Sequence, residues 1–86
     1  MEKYNIELTY SAEKALFQLS KEPIQKIMAA IQSLTENPYP VGCRKLSGED
    51  GIYRIRVGTY RIIYSIHKKE ILIKILKVGH RKEIYR

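Results

Sequence analysis

The chain is short of nearly everything that marks a secreted, disulfide-held or membrane-spanning protein. Its 86 residues contain one cysteine, Cys43, which excludes an internal disulfide and any multi-cysteine metal site and suits a reducing compartment. No apolar run approaches the ~20 residues that a membrane-spanning helix needs. The chain opens on Met1-Glu2-Lys3-Tyr4 with no secretory apolar region, so a cytoplasmic protein with no membrane partner is expected. Repeats, linkers and low-complexity tracts are also missing. Acidic residues are scarce, with 9 Asp and Glu against 16 Lys and Arg and a net charge of +7.

That charge is unevenly placed. Residues 1–43 carry four lysines against five acids, and residues 44–86 carry twelve Lys or Arg against four, so the halves stand at −1 and +8. A solvated face mixes signs, whereas a one-sided excess points to a polyanionic partner. Nucleic acid is the first candidate and an acidic protein the second. The length predicts one domain over 1–86, burying only about 60–65% of its unfolded surface, and therefore an open surface site in preference to a deep pocket.

Residues 3–9 alternate, with Tyr4, Ile6 and Leu8 on one face, as in a half-buried strand. Ser11 is the expected N-cap of a first helix carrying Ala12, Ala15, Leu16 and Leu19. A second helix begins near Ser20-Lys21-Glu22-Pro23, carries Ile24, Ile27, Met28, Ile31 and Leu34, and stops at Asn37-Pro38. Residues 39–51 break the pattern with Pro40, Gly42, Gly48 and Gly51. Three strands follow over 52–57, 60–67 and 71–78. Their joints, Gly58-Thr59 and Lys68-Lys69-Glu70, are short enough for an antiparallel meander. The expected fold is α+β, with two N-terminal helices packed on one face of a small antiparallel β-sheet. The other face is left open.

Alternation sends successive strand side chains to opposite faces. Tyr53, Ile55 and Val57, then Tyr60, Ile62, Tyr64 and Ile66, then Ile71, Ile73 and Ile75 form apolar stripes for the helices to cover. Arg54, Arg56, Arg61 and Lys74 then converge on the open face, with no acid between them. Like charges side by side destabilise a sheet. Arginine's planar fork grips phosphate oxygens in two-point contacts, so a phosphate site is the sharper reading. Arg44 and Lys45, in the loop, are further candidates for the RNA backbone. Cys43 is read as a packing residue, His67 as a solvent-exposed residue by a turn, and Tyr53, Tyr60 and Tyr64 as core.

Leu46-Ser47-Gly48, the run from Tyr53 to Tyr64 (YRIRVGTYRIIY), Val78-Gly79-His80-Arg81 and Tyr85 together resemble the RelE/ParE toxin superfamily over the whole chain. The resemblance implies a RelE-like toxin of a type II toxin–antitoxin pair, partnered by a cognate antitoxin. It further implies mRNA cleavage, usually in the ribosomal A site, with no metal or other cofactor. By motif, the basic pair of the first meander strand falls on Arg54 and Arg56. The arginine of the next strand falls on Arg61, the one after Val-Gly-X on Arg81, and the terminal aromatic on Tyr85. Some members carry lysines at the first two positions. Arginine cannot give up its proton as a lysine can, so a lysine-as-base account does not carry over.

RNA cleavage of this kind needs the 2′-hydroxyl to attack the adjacent phosphorus, with a base, a stabiliser of the developing charge and an acid for the leaving oxygen. Arg56, Arg61 and Arg81 suit the charge, and Arg54 shares it or positions the backbone. His80 and Tyr85 are the candidates for proton transfer. Neighbouring arginines would favour a neutral His80 and a tyrosinate at Tyr85, and Tyr85 could instead stack on a base. Two other functions compete, although the clustered arginines with His80 and Tyr85 argue against the first. One is a ParE-like, non-enzymatic inhibitor of DNA gyrase, and the other a plain RNA-binding module.

Overall fold

The alternating stretch around Ile6 and Leu8 forms β1 (Asn5–Leu8), and the two amphipathic stretches form α1 (Tyr10–Phe17) and α2 (Lys21–Leu34). The computed structural model describes residues 3–46 and 51–80. Its remaining strands are β2 (Arg44–Lys45), β3 (Ile52–Val57), β4 (Tyr60–His67) and β5 (Leu72–His80). They make one sheet in the order β1-β5-β4-β3-β2. β3, β4 and β5 form the expected antiparallel meander, and β2 adds to it antiparallel along β3. β1 departs from that expectation and runs parallel to β5, because the two helices carry the chain back across one face before the meander begins.

The helices cover that face. Leu16 of α1 and Ile27, Ile31 and Leu34 of α2 are fully or almost fully buried against Ile62, Tyr64, Ile73 and Ile75. Each such aliphatic side chain contributes about 1.5–3 kcal/mol. Tyr53, Tyr60 and Cys43 pack partly buried around this core, as the sequence predicts. Met28 lies on the margin of its stripe and is half-exposed. Pro23 falls in the first turn of α2, where its missing N–H leaves no bond unmade. Val57 and Tyr60 pair across the Gly58-Thr59 joint, and Gly58 takes a φ of 60° there, as the first position of a tight hairpin turn requires.

Three local expectations need correction. The cap of α1 is Thr9 and not Ser11: the Thr9 Oγ1 accepts the Ala12 N–H at 3.1 Å. Ile71 does not join the apolar stripe of β5. It sits in the turn before the strand with a φ of 52°, a conformation that strains a β-branched residue. The supposed loop contains β2, which pairs Arg44 with Arg54 and Lys45 with Tyr53.

The feature with the widest consequence is a bulge in β5. Ile63 pairs with Lys77 but Tyr64 pairs with Ile75, so Leu76 is an extra residue with no partner on β4. Thr9 fastens it. Its N–H donates to the Ile75 carbonyl at 3.0 Å and its hydroxyl to the Leu76 carbonyl at 3.1 Å, while the same oxygen caps α1. Thr9→Val should therefore lose a helix cap and a bond to the bulge together. We expect a loss of about 2 kcal/mol, read from urea unfolding. A loss below about 0.5 kcal/mol, the size of an ordinary surface change, would show that Thr9 does not hold the bulge.

Tyr64 ties the core to the connection after α2. Its hydroxyl donates to the Pro38 carbonyl at 2.8 Å, and its ring stacks on Tyr53. Burial pushes the phenol well above its usual range, and the neighbouring Cys43 thiol adds to the shift. The folded state thus holds this proton more tightly than the unfolded one. The associated stability is complete below the ordinary tyrosine pKa of about 10 and is lost as pH rises through the folded value. Over about pH 9 to 11.5 the wild type should lose more stability than Tyr64→Phe, which has no proton there to lose. Equal losses in parallel urea titrations would contradict this.

Candidate nucleic-acid interface

The open face of the sheet is a grid whose rows follow from the strand register. One row holds Arg56, Arg61 and Gly79. The next holds Arg44, Arg54, Ile63 and Lys77. A third holds Ile52, Ser65, Lys74 and Glu7. Rows lie two residues apart along a strand, roughly 6.5–7 Å. The first two rows contain five cations and no carboxylate.

Arg61 is the anchor of this surface. It is only 7% exposed, although arginine is almost never fully buried unless paired. Its Nη1 donates to the carbonyls of Tyr60 at 3.1 Å and Gly58 at 3.4 Å, both at the β3–β4 turn. Its buried Nε meets no acceptor among the described residues. Arg56 lies directly across from it on β3 and is exposed. On the other side Gly79, itself buried, adds no side chain to the row. A buried cation beside a second one is a costly arrangement unless an anion completes it.

The other predicted residues divide between the two faces. Arg54 and Arg44 lie on the arginine face, Arg54 partly buried and Arg44 exposed at the β2 edge. Lys74 is on that face but two rows away from Arg61, with Glu7 beside it in register. Lys45 pairs with Tyr53 and so belongs to the helix side. His67 is partly buried, not solvent-exposed, and its Nε2 lies 2.9 Å from the Ser65 Oγ. Arg81 and Tyr85 lie outside the described residues.

His80 is not brought to Arg54, Arg56 or Arg61. It pairs with Tyr60, and the two rings meet edge to face at 5.9 Å. Together they border a cavity formed with Ala15 of α1 and with Gln18 and Leu19, which follow that helix. The bulge is the physical reason. Strict alternation from Lys74 would put position 80 on the open face, but one extra residue reverses every side chain beyond it. The same reversal brings Lys77, which sequence reasoning passed over, onto the open face in the row of Arg54, with Ile63 between them. The signal was available in the apolar spacing: Ile73 and Ile75 are followed by Val78, a step of three where an unbroken strand gives two.

Against known proteins, residues 6–85 match the family model described as the ParE toxin of type II toxin–antitoxin system, parDE. The chain is similar to the putative toxin RelE1 of Methanocaldococcus jannaschii, with 30% identity covering 98% of this chain and 97% of that protein. It is also similar to the toxin RelG of Mycobacterium tuberculosis, at 31% identity over 96% of this chain and 97% of the relative. Among solved structures, the archaeal RelE–RelB complex of Pyrococcus horikoshii OT3 superposes with a TM-score of 0.83 at 32% identity, covering 94% of this chain and 98% of that one. The isolated E. coli RelE toxin shares the fold, with a TM-score of 0.81 at 22% identity over 95% of this chain and 90% of that one.

Proposed function

The chain belongs to the RelE/ParE superfamily, as a toxin of a type II toxin–antitoxin system with RelE relatives, and we propose that it acts as an endoribonuclease on mRNA, in the ribosomal A site. The observation that carries this reading is Arg61, a buried cation whose Nε meets no acceptor among the described residues, set directly across from the exposed Arg56 on the sheet face away from the helices.

Arg61 and Arg56 grip the scissile phosphate and stabilise the charge that builds on it as the 2′-hydroxyl attacks. Arg54, Lys77 and Arg44, one row away, hold the neighbouring backbone. Arg81, carried over from the family motif, completes the cationic set. Proton transfer falls to Tyr85, since His80 lies across the sheet from the phosphate site. A cognate antitoxin neutralises the toxin. Its chemistry follows from the surface it must cover: an acidic segment able to lie over five cations. The RelE relatives solved as complexes carry RelB antitoxins.

The test is to induce the protein in cells and map mRNA 5′ ends, with Arg81→Ala as the control. New ends within open reading frames, absent from the control, are the expected result. Intact mRNA together with blocked gyrase supercoiling by the purified protein would reverse the reading in favour of a gyrase inhibitor. RNA binding with a steep salt dependence but no cut products would reduce it to a binding module.

A further inference from the structure

A cavity of about 330 Å³ opens where the basic face ends, at the outer edge of β3. β2 pairs only with Tyr53 and Arg54, and Ile55 and Arg56, beyond its reach, line the cavity. Ala30 and Ser33 of α2 line it as well, with Pro40 and Val41 from the connection after α2. Val41 is wholly exposed, an apolar side chain offered to solvent. Arg44 and Arg56 supply the charge, and neither forms an ion pair among the described residues.

This combination fits one chemistry. The volume is at the lower end of small-ligand sites, roughly 300–1,000 Å³. Apolar walls and a guanidinium suit the flat face of a nucleobase, which stacks on arginine planes. A second guanidinium suits the phosphate attached to it. Arg56 belongs both to the cavity and to the Arg56–Arg61 row, so a strand whose phosphate sits at Arg61 passes the cavity with its next nucleotide. Resting on the endonuclease reading, we infer that this edge cavity takes one unpaired RNA base flanking the cut and thereby sets the sequence preference of cutting. An acidic antitoxin segment is the competing occupant, but it makes no use of the apolar walls between the two arginines.

The test fills the cavity. Ser33 is exposed on α2, so Ser33→Leu intrudes from the surface without disturbing the core. Ala30→Leu intrudes from a neighbouring position, and circular dichroism and thermal melting check that both variants fold. Isotope-labelled protein is titrated with AMP, GMP, CMP and UMP, and cut sites on one long mRNA are mapped for each variant. The expected result is saturable shifts at Ala30, Ser33, Val41 and Gly42 with at least one mononucleotide, lost in both variants. A wild-type preference of at least about fivefold at one position beside the cut should flatten with them. An unchanged preference in both folded variants overturns the inference and leaves the endonuclease reading standing. Shifts produced by an acidic antitoxin peptide and by none of the mononucleotides overturn it in favour of a protein-docking site. If the wild type makes no cuts, the endonuclease reading fails instead, and the mononucleotide titration alone decides what the cavity binds.

Discussion

Arg61→Ala should leave a folded toxin that cuts RNA at least about a hundredfold more slowly than the wild type, the usual effect of removing one preorganised donor from a developing anion. The fold should survive for a specific reason. Arg61 contributes two bonds to backbone carbonyls at the β3–β4 turn, but its burial also strands a donor and sets two cations in register. Truncation removes both the bonds and the penalty, so stability should change by only about 1 kcal/mol. Arg61→Lys separates charge from geometry. It keeps a cation but loses the planar fork that spans two phosphate oxygens, and its rate should fall between those of the wild type and Arg61→Ala. Circular dichroism and thermal melting of both variants check that the fold is intact. Cutting within threefold of wild type by a folded Arg61→Ala would remove Arg61 from the chemistry and with it the central support for an RNA-cleaving site.

What the sequence shows about this site depends on how local the determining physics is. Arg54, Arg56 and Arg61 are placed correctly by alternation alone, because β3 and β4 run unbroken across a two-residue turn and Ile55, Ile62 and Tyr64 fix which face is buried. The α+β class and both helix stripes are legible for the same reason. Other features are set by interactions between distant segments. The parallel pairing of β1 with β5 depends on where two helices return the chain, and β2 is only two polar residues long, with no period to detect. Thr9 outcompetes Ser11 as a cap because its hydroxyl serves β5 and α1 at once. Ile71 looks like one more member of an isoleucine stripe, but the turn out of β4 claims it.

The bulge at Leu76 connects these departures to function. It sends Val78 to the core and His80 to the helix side, and it puts Lys77 and Gly79 on the open face. A strand without it would present His80 to the arginines and leave Lys77 on the helix side, giving a titratable site with fewer fixed charges. The protein instead has four arginines and Lys77 in two adjacent rows and keeps its described histidines out of the row that holds Arg61. Phosphate binding at this face should accordingly vary little with pH across the histidine range.

Reversing one charge in each row should therefore have a large and local effect. Arg56→Glu combined with Lys77→Glu should weaken binding of single-stranded RNA about a hundredfold at low salt, since each change removes a cation from a phosphate and adds a repulsion. The slope of log affinity against log salt should become shallower by about 1.4, or ~0.7 for each phosphate of a single strand that is no longer neutralised. Both side chains are exposed, so the fold should tolerate the pair. Net charge alone cannot mimic the result. Lys14→Glu with Lys26→Glu makes the same change in net charge on the exposed sides of α1 and α2, and affinity should then fall only severalfold, through the long-range field. Equal losses from the two pairs, measured by fluorescence anisotropy over a salt series, would mean that the chain binds RNA through its overall charge. The open face would then have no special claim to the substrate. A large difference between the pairs would place the RNA on that face, where Arg56 stands by alternation and Lys77 by the bulge.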